Sequence, residues 1–292
     1  MVSLIGTLAR VLKEPVGSPR HHANGMPELP EVESVRRQLR PRLVGRRVVA
    51  ATAHPQARMG PLEPAVGRVV GEVARRGKYL LIDLDGTHEL VVNLGMTGSL
   101  RLRGQDGWQP DAYVRATLTL DDGELDFRDV RRFGRLAVVT AGDHASIPML
   151  AQLGPEPLSA EFDVAVFAAR LARTRMAVKP FLLAQRAVAG VGNIYADEAL
   201  WAARINPKAR RVGRERAARL HGAIRAVLAD AIEREGTTFR DYQMVNGQPG
   251  GFGDALVVYG RAGRACRRCA QPLRKIEVGG RGTTYCPSCQ RR

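Results

Sequence analysis

The chain has 292 residues, 45% of them hydrophobic, with a mean hydropathy of −0.19. This is enough for one large or two ordinary domains with a proper core, and no apolar run approaches the roughly 18 residues that a membrane-spanning helix needs. A formal net charge of +16 opposes compaction and points to a polyanionic partner, although the abundance of Ala and Arg throughout allows a purely compositional origin.

In residues 1–25 the apolar block Val2 to Ala9 lies ahead of the first charges, Arg10, Lys13 and Arg20. A secretory signal has the reverse order and an A-x-A cleavage pattern, so this stretch is expected to be an extension from an early-assigned start or a removed leader. The next segment, Met26-Pro27-Glu28-Leu29-Pro30-Glu31, reads like the beginning of a protein. Methionine before proline is commonly trimmed, and the trimmed chain would begin with a secondary amine able to form an iminium with an aldehyde-like carbon. Equally, Met26-Pro27 fits an ordinary turn, with Pro30 opening a helix.

From Pro30 the pattern is helical. Glu31 and Glu33 suit the positive end, Val32, Val35 and Leu39 mark one apolar stripe, and Pro41 is expected to end the helix. The period then changes to two. Residues 79–84 and 90–94 flank Asp85-Gly86, residues 116–120 and 124–128 flank Asp121-Asp122-Gly123, and 135–139 adds a further strand. Asp-Gly between β-rich runs predicts hairpins, so residues 26–152 are expected to form an antiparallel β-sandwich carrying an N-terminal helix. Residues 153–158 form a linker, with Ser159 as a candidate cap for the next helix. Residues 160–235 read as helices: Val164, Phe167 and Leu171 share one face, and Leu220, Ile224, Val227 and Ile232 another. Val188 to Asn193 interrupts them before Ile194 to Trp201 resumes the pattern. The glycine-rich stretch around 246–251 predicts a loop rather than core.

All four cysteines lie from residue 266 onward, unlike a disulfide scaffold, which spreads its bridges. Cys266-x2-Cys269 and Cys286-x2-Cys289 are separated by the 16 residues 270–285, the two-knuckle spacing of a structural zinc ribbon. Two disulfides or an iron–sulfur site are the alternatives. Four thiolates leave a zinc ion no open position, so one Zn2+ here would hold structure and not activate water. Arg261, Arg264, Arg267, Arg268, Arg274, Lys275, Arg281, Arg291 and Arg292 face one acid, Glu277, a balance suited to phosphates.

In order and spacing these pieces resemble the formamidopyrimidine-DNA glycosylase family over nearly all of residues 26–290. The resemblance rests on PELPEVE at 27–33, RRGKYL at 75–80, LGMTGSLR at 94–101 and DVRRFGR at 129–135. LGPEPL at 153–158, KPFLL at 179–183, GVGNIYADEAL at 190–200, GTTFRDY at 236–242, VYGR at 258–261 and the ribbon complete it. It implies an α+β multidomain fold: a catalytic β-sandwich at 26–152, a helix–two-turn–helix DNA-binding domain at 153–240, and a lesion-capping loop plus zinc ribbon at 241–292, the ribbon from about 258. A DNA cleft would run between them.

The implied activity is base-excision repair of oxidised purines, 8-oxoguanine and formamidopyrimidines, with β,δ-elimination at the abasic site. Pro27 matches the family's Schiff-base nucleophile and Glu28 its proton donor. Lys78 matches the phosphate-binding lysine of β-elimination, and Arg281 the ribbon arginine of δ-elimination that grips flanking phosphates. Asn193 matches the residue that clamps a phosphate. Met96, Arg131 and Phe133 match the trio that enters the duplex when the lesion flips out. Glu198 matches an acid near the base pocket, with a helix-surface role as the alternative. A loop from about Thr237 to Phe252 would cap the flipped base. The expected partner is double-stranded DNA with oxidised bases, acted on by a monomer in a bacterial cytoplasm. The chain departs from the usual pattern at Asn93, where relatives often carry His, and at Asp111-Ala112-Tyr113. Two rival readings share these features: an endonuclease VIII-like glycosylase for oxidised pyrimidines, disfavoured by Leu29 and the Met-Arg-Phe trio, and a non-catalytic damaged-DNA binding protein if Pro27 stays blocked.

Overall fold

A computed structural model describes residues 26–55, 59–104, 107–237, 245 and 250–291. The extension at 1–25, most of the proposed capping loop and Arg292 lie outside the described residues.

Helix α1 (Leu29–Leu43) starts at Glu28, whose backbone N–H donates to the Glu31 carboxylate at 2.8 Å, the reach-back bond of a capping box. Pro30 sits in the first turn, where its missing N–H costs nothing. Val32, Val35, Leu39 and Leu43 are buried against the sandwich. Pro41 does not end this helix, contrary to expectation. One turn from the C-terminus it forfeits a single hydrogen bond, which burial of Leu43 offsets, and Val44 N–H still reaches Arg40 O at 3.2 Å.

The sandwich comprises β1 (Val48–Ala53), β2 (Val70–Arg76), β3 (Tyr79–Leu84), β4 (His88–Asn93), β5 (Gly98–Leu102), β6 (Val114–Leu120), β7 (Gly123–Asp129) and β8 (Arg135–Thr140). Two antiparallel four-stranded sheets, ordered β1-β6-β7-β5 and β2-β3-β4-β8, enclose the core. Both predicted hairpins form. Asp85 and Gly86 adopt φ of +60° and +69°, the left-handed pair that matches strand twist, and Leu120 pairs with Gly123 across the second turn. Strands β1, β2 and β5 escaped the sequence reading. Strand β5 is buried on both faces, Ser99 and Arg101 included, so no alternation marks it.

A single turn, α2 (Pro148–Ala151), leads into the linker, and that linker is tied to the sandwich. Glu156 accepts from Gly77 N–H at 2.6 Å and pairs with Arg75 (2.7 Å) and Arg76 (3.0 Å) on the turn before Lys78. Arg75 also pairs with Glu33 of α1 at 3.0 Å. Helix α3 (Val164–Arg173) is capped by Asp163, which accepts from Val166 N–H at 2.8 Å. Ser159 instead bonds the Glu156 carbonyl. Helices α4 (Val178–Leu183), α5 (Asn193–Ala202) and α6 (Arg214–Glu233) complete the layer, with Leu220, Ile224, Leu228 and Ile232 on the buried face of α6.

The ribbon hairpin, β9 (Arg274–Val278) and β10 (Arg281–Tyr285), docks on this helical layer through a buried ion pair. Lys179 on α4 meets Asp197 on α5 at 2.6 Å and donates to Thr283 Oγ1 (2.8 Å) and Gly282 O (3.3 Å), while Asp197 accepts from Thr284 N–H at 2.9 Å. Removing one partner strands a buried charge. Lys179→Met should therefore destabilise the protein by about 3 kcal/mol in urea titration, and the companion change Asp197→Leu should recover most of it.

Candidate active site

The site is built on the start of α1 and the start of α5. Glu28, 1% exposed, directs its carboxylate at the N-terminus of α5, accepting from Gly192 N–H (2.7 Å), Ile194 N–H (2.9 Å) and Tyr195 N–H (3.5 Å). A helix N-terminus with unsatisfied donors is the natural place for a carboxylate. Gly192 is required by close approach: a Cβ there would sit 2.2 Å from Glu28 Cδ and 2.5 Å from Lys78 Nζ. Burial nevertheless pushes the Glu28 carboxyl above its usual range, opposed by the Lys78 ammonium and by those backbone donors. Burial draws Lys78 downward in turn, with Glu28 and Glu31 opposing.

Pro27 is buried immediately ahead of Glu28. Its nitrogen is in peptide linkage to Met26, so the lone pair is delocalised into the amide in this chain.

Around this pair opens a cavity of about 820 Å³, lined by Met26, Glu28, Lys78, Asn193, Tyr259 and Arg281 among others. Asn193 donates to the Gly282 carbonyl at 3.2 Å, which joins the start of α5 to the ribbon strand that carries Arg281. Asn93 accepts from Gly95 N–H (3.1 Å) and donates to Lys78 O (3.4 Å). It thereby links the Lys78 strand to the loop bearing Met96, which also lines the cavity. Arg131 and Phe133 stand on the neighbouring 130–134 loop, both exposed, with the guanidinium 5.0 Å from the ring centroid.

The four cysteine Sγ atoms lie within 4.8 Å of one another, with Cys269–Cys286 at 3.5 Å and Cys266–Cys289 at 4.0 Å. Sulfurs around a tetrahedral zinc, each about 2.3 Å from the ion, would be about 3.8 Å apart, so the set fits one Zn2+. Trp201 Nε1–H (3.4 Å) and Arg268 N–H (3.5 Å) point at Cys266, and Cys289 N–H (3.3 Å) at Cys286, donors suited to thiolates.

The comparisons with known proteins divide the chain as the motifs do. Residues 26–136 match the family model described as the formamidopyrimidine-DNA glycosylase N-terminal domain, and residues 153–243 match that family's H2TH domain. Residues 263–292 match the zinc finger found in FPG and IleRS. The chain belongs to the formamidopyrimidine-DNA glycosylase family. Its relatives include the formamidopyrimidine-DNA glycosylases of Thermus thermophilus (48% identical, covering 91% of this chain and 98% of that protein) and Deinococcus radiodurans (46%, 91% and 97%). Among solved structures, the MutM (FPG) protein of Thermus thermophilus superposes with a TM-score of 0.85 at 47% identity, covering 90% of this chain and 98% of the other. The Lactococcus lactis Fpg bound to DNA containing an abasic site superposes at 0.84 and 35%, covering 91% of this chain and 100% of the other.

The structure brings Glu28, Lys78, Asn193, Met96 and Arg281 of this family member to one cavity. Glu198 is buried rather than on the helix surface, and it is not itself among the cavity-lining residues. Its carboxylate collects Val257 (3.0 Å), Val258 (2.9 Å) and Tyr259 (2.8 Å) N–H groups and so fixes the segment that brings Tyr259 to the cavity. Sequence reasoning missed Glu31, Tyr195 and Tyr259. Glu31 looked like a helix-dipole partner but is fully buried, accepting from Tyr195 OH and, at 2.7 Å, from Thr237 N–H, where the 237–252 segment begins. Its only sequence signal was its place inside PELPEVE.

Burial, and then the Glu28 charge, lift Glu31 from 4.5 to about 7, against hydrogen bonds from Tyr195 and Thr237. The folded protein then holds a proton that the unfolded chain releases near pH 4.5. The associated stability is fully present below that pH and is lost as pH rises to about 7. Glu31→Gln cannot ionise, so the melting temperature of the variant relative to the unmodified protein should rise across that interval. A pH-independent difference would contradict a raised Glu31.

Proposed function

We propose that this chain is a base-excision-repair DNA glycosylase for oxidised purines, 8-oxoguanine and formamidopyrimidines, with β,δ-eliminating lyase activity through a Schiff base on Pro27. One observation carries the reading: the residue after Pro27 is a buried carboxylate with a raised pKa, held against Lys78 at the wall of a cavity that also receives Asn193 and Arg281.

The proline amine attacks the sugar C1′. The glycosidic bond breaks, and its electron pair leaves with the base, which takes up a proton. The C1′–O4′ bond opens as Glu28 delivers its proton to O4′, leaving an iminium between C1′ and the proline nitrogen. Burial raises the Glu28 carboxyl from its ordinary value, which favours the protonated acid this step needs. The iminium acidifies the C2′ proton, whose loss expels the 3′ phosphate, and a second elimination expels the 5′ phosphate. Lys78 and Arg281 bind the phosphates on either side of the abasic sugar, and Asn193 clamps the backbone. The thiolate-held zinc, when bound, supplies rigidity to the ribbon that carries Arg281 and no step of the reaction. Met96, Arg131 and Phe133 occupy the space left by the flipped nucleotide, whose unstacking costs about a few kcal/mol.

This chemistry requires Pro27 as residue one, so the working protein begins there and residues 1–26 are absent from it. It acts as a monomer on chromosomal DNA in the cytoplasm. No described helix is long and apolar enough to cross a membrane.

Borohydride trapping on 8-oxoguanine duplex tests the reading directly. Protein starting at Pro27 should give a covalent adduct, and the 292-residue chain should bind without trapping. Tight binding without an adduct from the Pro27 form would leave a damaged-DNA binding protein instead. Glu28→Gln should slow base release by about 100-fold or more. Zinc chelation should abolish DNA binding in fluorescence anisotropy, and binding that survives it would remove the ribbon from the interface. Affinity should fall with salt at a log–log slope of about 0.9 per phosphate neutralised.

A further inference from the structure

Met96 and the Arg131–Phe133 pair stand on different loops of the sandwich, yet a buried network makes those loops one body. Loop 94–98 enters β5, and loop 130–134 comes after β7, the strand paired with β5 so that Gly98 lies opposite Asp129. Asp129 is fully buried and makes no ion pair among the described residues. Its carboxylate accepts from the Thr97 hydroxyl of the first loop and from Gly134 N–H (2.7 Å) of the second. The same Thr97 oxygen accepts from Arg131 N–H at 3.0 Å, so one hydroxyl, 2% exposed in its residue, is shared by both loops.

The backbones also touch. Gly95 adopts φ +62°, and a Cβ there would lie 2.6 Å from Gly134 N and from Phe133 C, so only glycine lets the two loops meet. A buried carboxylate satisfied by hydrogen bonds alone strongly resists losing one of them. Separating the loops would break the Thr97 bridge and the Gly95 contact together.

We propose that Thr97 and Asp129 are positioning residues that couple the two loops, so that Met96, Arg131 and Phe133 enter the DNA stack as a single rigid unit rather than one after another. This rests on the trio's assignment as the residues that fill the duplex. The network adds a mechanical consequence: the insertion steps share one barrier, and damage to one wedge already forfeits much of what the other contributes.

The test is a double-substitution cycle on Met96→Ala and Phe133→Ala, read as single-turnover release of 8-oxoguanine from duplex DNA by the Pro27-starting protein. With Thr97 present, the double variant should be faster than the product of the single effects by about fivefold or more, the signature of coupled residues. In a Thr97→Val background the effects should multiply, whereas Thr97→Ser, which keeps the hydroxyl, should retain the coupling. Gly95→Ala, which forces the loops apart at the backbone, should also uncouple them and guards against a Thr97→Val that fails to fold. Elimination at a preformed abasic site in single-stranded DNA, where no stack is entered, should be unaltered by Thr97→Val and by Thr97→Ser. Multiplicative effects with Thr97 present, or coupling that survives both Thr97→Val and Gly95→Ala, would overturn the proposal. If neither single variant slows duplex release, the assignment of the trio fails and the proposal falls with it.

Discussion

Donation from the backbone N–H groups at the start of α5 to the Glu28 carboxylate is the interaction on which the rest of the structure depends. It joins the first turn of the sandwich domain to the helical domain through a single buried side chain. The turn at 190–192 is glycine-rich for steric reasons. Gly190, at φ +78°, lies against Leu29, and Gly192 against both Glu28 and Lys78. No side chain larger than hydrogen could hold a carboxylate, an ammonium and a helix N-terminus so close. The same closeness sets the chemistry. Desolvation raises the acid and lowers the base, and each charge partly restores the other.

Around this centre, buried and half-buried acids hold the elements together. Glu156 gathers Arg75, Arg76 and Gly77 N–H, so the linker between domains also sets the turn from which Lys78 emerges. Asp197 gathers Lys179 and Thr284 N–H, fixing the ribbon strand beside Arg281. Glu198 fixes the approach of Tyr259. Each carboxylate lies one or two interactions behind a group at the cavity wall. In a chain with 45 basic and 29 acidic side chains, acids placed in this way leave a surplus of positive charge for a phosphate backbone.

The proposed nucleophile introduces a constraint of another kind. An amide nitrogen cannot form an iminium, so the chemistry proposed for Pro27 is excluded while the Met26–Pro27 peptide bond is present. Glu28 is held at the α5 terminus by the Gly192 and Ile194 N–H groups, contacts that do not involve that bond.

Local chemistry in the sequence was sufficient for much of this. Asp-Gly steps specified both hairpins because they favour the left-handed turn. Paired Cys-x2-Cys units specified a tetrahedral sulfur site because the bite of each knuckle is short. The run of motifs specified the family and its candidate residues. Tertiary structure decided what spacing along a chain does not encode. It showed that Pro41 lies inside α1, since Leu43 is buried by a sheet distant in sequence. It showed that Asp163 rather than Ser159 caps α3, because Ser159 bonds the linker backbone. Glu31, which read as a helix-dipole partner, and Glu198, for which a helix-surface role was the alternative to a place near the base pocket, are buried where segments from other domains bring N–H groups to them. A carboxylate's role is set by which donors surround it, and these include Thr237 N–H, 206 residues from Glu31, and Val258 N–H, 60 from Glu198, separations only the folded chain can close.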